Sequence, residues 1–401
     1  MFKSNRLLGG ILLVAGTSIG AGMLALPVIT SFAGFLPSLA LLAVCWLFLF
    51  VTSLLLLDVN LACPGEVNLI SMAGRTLGFA GKVVCWITYL LLLYSLTAAY
   101  IAGSSSFFLQ IFEWITGISA PTWLGPFPLL IFFGVFVYLG TKSVDWINRI
   151  LMFGLILTYS ILTLFLPSHI QPSLLQHVDS QAIWLAVPVV ITSFGFHIII
   201  PTLTSYLGHD VRKLRLTLLI GSLIPLFVYA LWEFLILGIV PLYGDHGLIQ
   251  TYLQGHSSAA PLSLIVQNKW ISTAANAFSF FAIITSFLGV SLSLSDFLTD
   301  GLRMKRFSFG RELACLLTFI PPLIFVLIYQ RGFIIALQFA GIFVAILLCI
   351  MPALMAWTLR PYRKFFKRCL LITVILVSLF VIGLDILEEM GILKNLINHY
   401  V

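Results

Sequence analysis

Gly16-Thr17-Ser18-Ile19-Gly20-Ala21-Gly22 interrupts an apolar run that extends from residue 7 to residue 34, and Pro27 follows the interruption. Glycine disfavours helix, and Thr and Ser side chains compete for backbone groups. The stretch therefore predicts local unwinding inside an otherwise continuous helix. A second interruption of the same kind, Ser193-Phe194-Gly195-Phe196-His197 with Pro201 following, falls in a run over residues 181–207. The rest of the chain can be laid out from these two breaks.

Of the 401 residues, 61% are hydrophobic and 9% charged, with a mean hydropathy of +1.12. A soluble domain carries about a quarter charged residues, and in water this composition would expose apolar surface everywhere. The lipid bilayer is the solvent this chain fits. Eleven apolar runs cover residues 7–34, 38–60, 80–110, 125–140, 147–166, 181–207, 215–240, 272–298, 313–329, 333–358 and 369–386. Most reach the roughly 20 residues that a spanning helix requires, the fourth being short. The expected fold class is all-α integral membrane with eleven transmembrane helices. The broken runs are the first and the sixth. Two five-helix halves, each opening on a broken helix, lie in opposite orientations, which is a five-plus-five inverted repeat with its binding site at the breaks. The first repeat covers residues 1–166 and the second 181–358, with 369–386 as an extra helix 11.

The net charge of +7 has a topological explanation and does not call for nucleic acid. With the N-terminus inside, the inner segments hold Lys3, Arg6, Arg75, Lys82, Lys142, Arg149, Arg212, Lys213, Arg215, Arg303, Lys305, Arg306, Arg311, Arg360, Arg363, Lys364, Lys367 and Arg368. Only Lys269, Arg331 and Lys394 of the 21 basic residues fall outside. The positive-inside rule then puts the C-terminus outside. Trp114, Trp123, Trp184 and Trp270 flank outer loops and Trp146 and Trp357 inner ones, as interfacial anchors do. The basic start followed by an apolar run has the outline of a signal peptide, but that run carries the first break and is read as a retained span. The six cysteines show no spacing that implies a disulfide framework or a zinc site. No metal or cofactor is expected.

At the first break, unwinding frees backbone N–H groups, and the second half-helix adds its positive dipole end. The backbone of Thr17, Ser18, Ile19, Gly20, Ala21 and Gly22 therefore suits a carboxylate without any charged side chain. The alternative is a close helix–helix contact, because Gly16 and Gly20 form a GxxxG. At the second break, carbonyls near Phe194 and Gly195 suit an α-ammonium group, and Phe194 and Phe196 suit an aromatic side chain. His197 is the only histidine deep in a run, so it must be paired or face a cavity. It is either bonded to a neighbouring carbonyl, a proton carrier or a substrate contact.

Run 8 carries Asn276, Ser279, Ser286, Gly289, Ser293 and Asp296 on one helical face, with Thr285 beside it. Thr285 and Ser286 opposite the Gly16 and Ile19 carbonyls resemble a small-cation site, or serve as interhelical hydrogen bonds. Asp58 and Asp296 lie near the inner ends of their helices, where they snorkel to the basic loops or act as inner gates. Glu233, in the outer half of run 7, is protonated, paired or facing water. No H-E-x-x-H, G-x-S-x-G or G-x-x-x-x-G-K-[ST] occurs, so neither an enzyme nor an ATP-driven pump is indicated. A channel would need a continuous polar lining, which only run 8 supplies.

Taken together, Val14 to Ala25, Leu96-Thr97-Ala98-Ala99-Tyr100-Ile101, Val144-Asp145-Trp146-Ile147-Asn148-Arg149, Thr192 to His197, Val211-Arg212-Lys213-Leu214-Arg215, Thr285-Ser286-Phe287-Leu288-Gly289-Val290 and Arg331-Gly332-Phe333 resemble the aromatic branch of the hydroxy and aromatic amino acid permeases. The resemblance runs nearly the whole chain. It implies the inverted-repeat fold of amino acid, polyamine and cation symporters in a bacterial cytoplasmic membrane. It also implies uptake of tyrosine or tryptophan by proton symport, sodium symport being the alternative. Glu233 departs from the family pattern, where a neutral residue is expected, and the outer loop 241–271 is individual. On this reading the substrate lies between helices 1, 3, 6 and 8, with Tyr100 and Phe196 enclosing its ring. Helices 1, 2, 6 and 7 rock against the rest.

The charge division makes a direct topological prediction. In a cysteine-free background, a single cysteine at Ser168 should react with an impermeant thiol reagent applied from outside, and one at Ser308 should not. The opposite pattern would invert the orientation.

Overall fold

The computed structural model describes residues 6–390 except Glu66, Gln267, Arg303, 305–308, Gln330 and Arg331. Lys3, Arg303, Lys305, Arg306, Arg331 and Lys394 of the charge division, and Ser308, lie outside the described residues. The described residues are mostly helical. The first span is two helices, α1 (Arg6–Ser18) and α2 (Gly22–Thr30), bent by 53° across the Gly-rich break. Among the described residues, ten further helices or helix runs are long and apolar enough to cross a membrane. The total matches the eleven runs.

The second span, α3 (Phe35–Ala62), is apolar on all sides, as a helix between lipid and protein must be. The third, α4 (Leu69–Thr116), is longer than its apolar run. Its first turns form a foot capped by Asn68, whose side chain accepts from the Ser71 N–H, and Gly78 breaks the helix before the span proper. The fourth, α5 (Phe127–Leu139), is short and is preceded by a 3-10 turn at Thr122–Leu124. It meets α6 (Thr141–Phe165) at Gly140 alone. Gly140 has φ 93, a conformation open to glycine at little cost, so one residue reverses the chain.

The sixth span repeats the first. α7 (Ile183–Ser193) stops at the break, a 3-10 turn follows at His197–Ile199, and α8 (Ile200–Leu207) continues. Next comes α9 (Val211–Ile239), capped by Asp210, which accepts from the Lys213 N–H and pairs with its Nζ at 3.0 Å. The Lys213 hydrogen bond holds the Asp210 carboxyl below its usual range. The outer loop contains two short helices, α10 (Leu248–Gln254) and α11 (Ala259–Ile265), which the apolar pattern did not announce because two turns are too short to show a period. The remaining spans are α12 (Lys269–Gly301), α13 (Gly310–Ile328), a tenth made of α14 (Gly332–Val344), a π-helical turn Ala345–Ile350 and α15 (Met351–Trp357), and α16 (Phe365–Glu389).

Two groups of helices result. α1 packs on α9, α2 on α7 and α9, and α3 on α7, α8 and α9. α12 packs on α4, α6 and α13. α14 bridges the groups through α4 and α7, and α16 lies outside against the π turn, α7, α14 and α15. The α1–α9 contact is close because Gly221 has no side chain. A Cβ there would stand 2.6 Å from the Val14 Cβ and 3.0 Å from the Ile11 carbonyl oxygen. α10 and α11 fold back over α2 and α12, where the Ser258 N–H donates to the Leu24 carbonyl at 3.0 Å and the Trp232 Nε1–H to Ser258 Oγ at 3.2 Å.

Candidate functional site

The two breaks face each other at the centre of the bundle. In the first, the Ile19 N–H still reaches the Ala15 carbonyl at 2.9 Å, and helical bonding resumes with Met23 to Gly20 and Leu24 to Ala21. Between them, the Ala21 N–H donates to Ser286 Oγ at 3.0 Å. Among the described residues the N–H groups of Gly20 and Gly22 have no hydrogen-bond partner. In the second break, the N–H groups of Phe194 and Gly195 bond back to Ile191 and Thr192, and nothing among the described residues donates to the Gly195 carbonyl.

A single side chain ties the breaks together. The Tyr229 hydroxyl, on α9 and fully buried, lies 2.6 Å from the Ser18 carbonyl and 2.9 Å from the Ser193 carbonyl. It has one proton for two acceptors, so it serves both breaks as one shared contact. The glycines permit this approach. A side chain on Gly20 would collide with Ser286 Oγ, and one on Gly22 would press on Ser193. Gly16 instead has open space where its Cβ would be. The two readings of the Gly-rich stretch therefore divide by residue: Gly20 and Gly22 are close contacts, and Gly16 faces a cavity.

That cavity has a volume of about 380 Å³, within the range of small-molecule sites. Gly16, Thr17, Ser18, Ile19, Gly20 and Gly22 line it from the first break, and Thr192, Ser193, Gly195, Ile198 and Ile199 from the sixth span. α4 contributes Tyr89, Leu93, Leu96 and Tyr100, α6 contributes Asn148 and Met152, and α12 contributes Thr285, Ser286, Gly289, Val290 and Ser293. Tyr100 on α4 and Ser286 on α12 line the same cavity, and Ser286 accepts from the Ala21 N–H. The Ser18 hydroxyl is buried with no hydrogen-bond partner. The cavity is thus lined by residues with unbonded N–H donors and an unbonded carbonyl, between apolar walls, with the Ser18 hydroxyl unbonded and shielded beside them.

Other expected site residues lie elsewhere. Ala21 is buried behind the break. Phe194, Phe196 and His197 are fully buried and are not in the cavity wall. Phe194 packs on the Tyr229 ring with centroids 5.2 Å apart, and Phe196 stacks on His197 at 5.1 Å. His197 Nε2 is 2.8 Å from Thr52 Oγ1 on α3, while its Nδ1 has no partner. The histidine is therefore buried away from the cavity wall and bonded to the Thr52 hydroxyl. Glu233, one turn beyond Tyr229, is fully buried, and both its oxygens lie 2.9 Å from Thr30 Oγ1.

Thr285 turns its hydroxyl back onto the Phe281 carbonyl at 2.8 Å. Asp58 accepts from Arg215 at 3.3 Å and from the Tyr362 hydroxyl at 2.7 Å, joining the ends of α3 and α9 to the turn after α15. Asp296 lines a separate cavity of about 400 Å³ between α5, α12 and α13, together with Arg311. Neither aspartate faces the central cavity. Sequence reasoning missed Tyr229, Tyr89, Asn148 and Met152. Tyr229 had one available signal, since it stands one helical turn before Glu233 in a nearly apolar run.

A many-spanning helical bundle with paired broken helices around a central cavity is the architecture of membrane transport proteins. The same fold is seen in a manganese transporter of Eremococcus coleocola solved in complex with an aromatic bis-isothiourea substituted compound, with a TM-score of 0.63 at 15% identity over 98% of this chain and 92% of that one. The chain belongs to the tryptophan/tyrosine permease family, whose model matches residues 3–387, and it is a transport protein, not an enzyme. It is 34% identical to tyrosine-specific transport system 1 of Haemophilus influenzae, over 97% of this chain and 98% of that protein. It is 33% identical to the tryptophan-specific transport protein of Pseudomonas aeruginosa, over 91% and 88%.

Tyr229→Phe removes the hydroxyl and leaves the Ser18 and Ser193 carbonyls unbonded inside the protein. The expected cost is about 1–3 kcal/mol, read as a lower melting temperature in detergent together with weaker ligand binding. An unchanged melting temperature and unchanged binding would show that the hydroxyl does not hold the breaks.

Proposed function

We propose that this permease imports tyrosine or tryptophan by proton symport across a bacterial cytoplasmic membrane, with its N-terminus inside and its C-terminus outside. The observation that carries the reading is the unbonded donor set at the first break: the Gly20 and Gly22 amides, with the unbonded Ser18 hydroxyl shielded beside them, in the wall of one cavity with apolar and aromatic walls. A carboxylate takes the donors, aided by the positive end of α2. The α-ammonium group takes the Gly195 carbonyl. The aromatic ring lies among Tyr89, Leu93, Leu96, Tyr100, Met152 and Val290. Phe194 and Phe196 act from behind the second break, by holding its shape.

Repeats over residues 1–166 and 181–358, with 369–386 outside them, account for two similarly broken spans meeting at one site. Transport follows from rocking α1–α2, α3, α7–α8 and α9 against α4, α6, α12 and α13. The Asp58–Arg215 contact holds the inner ends of α3 and α9 together within the moving group, and Tyr362 ties Asp58 to the turn after α15, so Asp58 enters the cycle by bracing these ends. Asp296 would act on the opposite group.

Coupling rests on two buried groups. Thr30 Oγ1 is 2.8 Å from the Leu26 carbonyl and has a single proton to give. When that proton goes to Leu26, Thr30 can only accept from Glu233, which then must carry a proton of its own. His197, between Thr52 and the second break and with its Nδ1 unpartnered, is the other carrier candidate. A sodium site at the Gly16 and Ile19 carbonyls with Thr285 and Ser286 is the alternative. It would require Thr285 to turn from its own helix and Ser286 to release the Ala21 N–H.

Uptake of tyrosine or tryptophan into proteoliposomes should rise with an inward proton gradient, collapse with a protonophore, and change little when choline replaces sodium. Glu233→Gln or His197→Gln should abolish gradient-driven accumulation and spare exchange, for whichever residue carries the proton. Uptake that follows sodium and ignores the protonophore would overturn the coupling. Normal accumulation by both variants would remove both residues from it.

A further inference from the structure

We propose that Asn148 is the specificity residue of the cavity, and that its side-chain oxygen accepts a hydrogen bond from the ring N–H or O–H of the substrate. This rests on the central cavity being the site of an aromatic amino acid. Asn148 lines that cavity, and its Oδ1 is shielded within the wall with no hydrogen-bond partner, so a turn of the side-chain amide would present it to a ligand. Its charged neighbours do not supply one, because Arg149 and Asp145 pair with each other at 3.0 Å on the exposed side of α6. Buried polar atoms are almost always bonded, so an exception on a cavity wall calls for a partner that the protein does not itself supply.

The position fits the length of the substrate. Asn148 lies two turns from the Thr141 end of α6, and Ser293 two turns from the Gly301 end of α12. These two helices pack side by side and run antiparallel by the alternation of spans, so the two residues stand at similar depth. Ser286, which touches the first break, is seven residues further along α12, or about 10 Å at 1.5 Å per residue. That separation suits an aromatic amino acid whose carboxylate is at the break and whose ring is hydrogen-bonded at its far edge. The walls between, Leu93, Leu96, Met152 and Val290, are apolar and suit the ring faces.

The chemistry separates three similar amino acids. Indole has an N–H and phenol an O–H to donate. Phenylalanine has neither and would leave the Asn148 oxygen buried and unbonded. Sites built to bond a substrate hydrogen reject analogues that lack it far more strongly than apolar pockets reject a change in size. Phenylalanine is accordingly a poor ligand although it fits.

The test is calorimetric titration of the purified full-length protein with tryptophan, tyrosine, phenylalanine and benzothienylalanine, which replaces the indole N–H by sulfur at nearly the same shape. Wild type should bind tryptophan and tyrosine at least about tenfold more tightly than the other two. Asn148→Leu, and the smaller Asn148→Ala, should bring all four within about threefold by weakening tryptophan and tyrosine alone, and Asn148→Asp, which keeps an acceptor, should preserve a preference. Wild type that binds phenylalanine and benzothienylalanine as tightly as tryptophan would overturn the role of Asn148 and leave the aromatic site standing. Variants that lose all four ligands equally would also overturn it, since that is a structural role. Failure of wild type to bind any of the four would overturn both the specificity and the proposed function.

Discussion

Inside a bilayer every backbone N–H and C=O must find a partner within the protein, because lipid offers none. This chain breaks two of its spans at mid-depth, and the bundle is organised around how the freed groups are satisfied. Ser286 takes the Ala21 N–H, and Tyr229 takes the Ser18 and Ser193 carbonyls. What those two side chains leave over, the Gly20 and Gly22 amides and the Gly195 carbonyl, faces a cavity. On the proposed reading the site is the remainder of an incomplete hydrogen-bond network, and it would recognise charge without a charged side chain of its own.

This accounting also explains why the helices around the breaks are arranged as they are. α9 must lie close to both breaks for Tyr229 to reach them, and Gly221 allows α9 to approach α1 to within side-chain-free distance. α12 must present a hydroxyl to the first break, and its contacts with α4 and α6 hold it there. Glu233 and Thr30 continue the same α2–α9 interface one turn beyond Tyr229. Under the proposed coupling, a change of protonation there would act on the helix pair that Tyr229 joins to the site.

The fold was largely legible from the sequence because hydropathy reports the bilayer directly. The eleven runs and both breaks are found where the residues placed them. Legibility fails where periodicity fails. A helix can be projected forward through its turns, but at Phe194 to His197 the phase is lost, so the directions of Phe194, Phe196 and His197 could not be read, and they turn away from the cavity. The foot of α4 is too polar to register as a span, and α10 and α11 are too short to show a period. Tyr229 and Asn148 matter because of what stands opposite them, which one sequence does not display. The single glycine at 140 that reverses the chain between α5 and α6 was hidden in the same way, because its role lies in a backbone angle.

The central claim is that the amides of the first break bind a carboxylate. Calorimetric titration of the purified protein with tyrosine and with tyrosinamide tests it most directly, since the two ligands share the ring and the α-amino group and differ at the acid. The account predicts saturable binding of tyrosine and binding of the amide weaker by at least about a hundredfold, in line with the loss of charge-assisted hydrogen bonds. Equal affinity for the two would contradict it, because the recognition would then lie outside the Gly20 and Gly22 backbone.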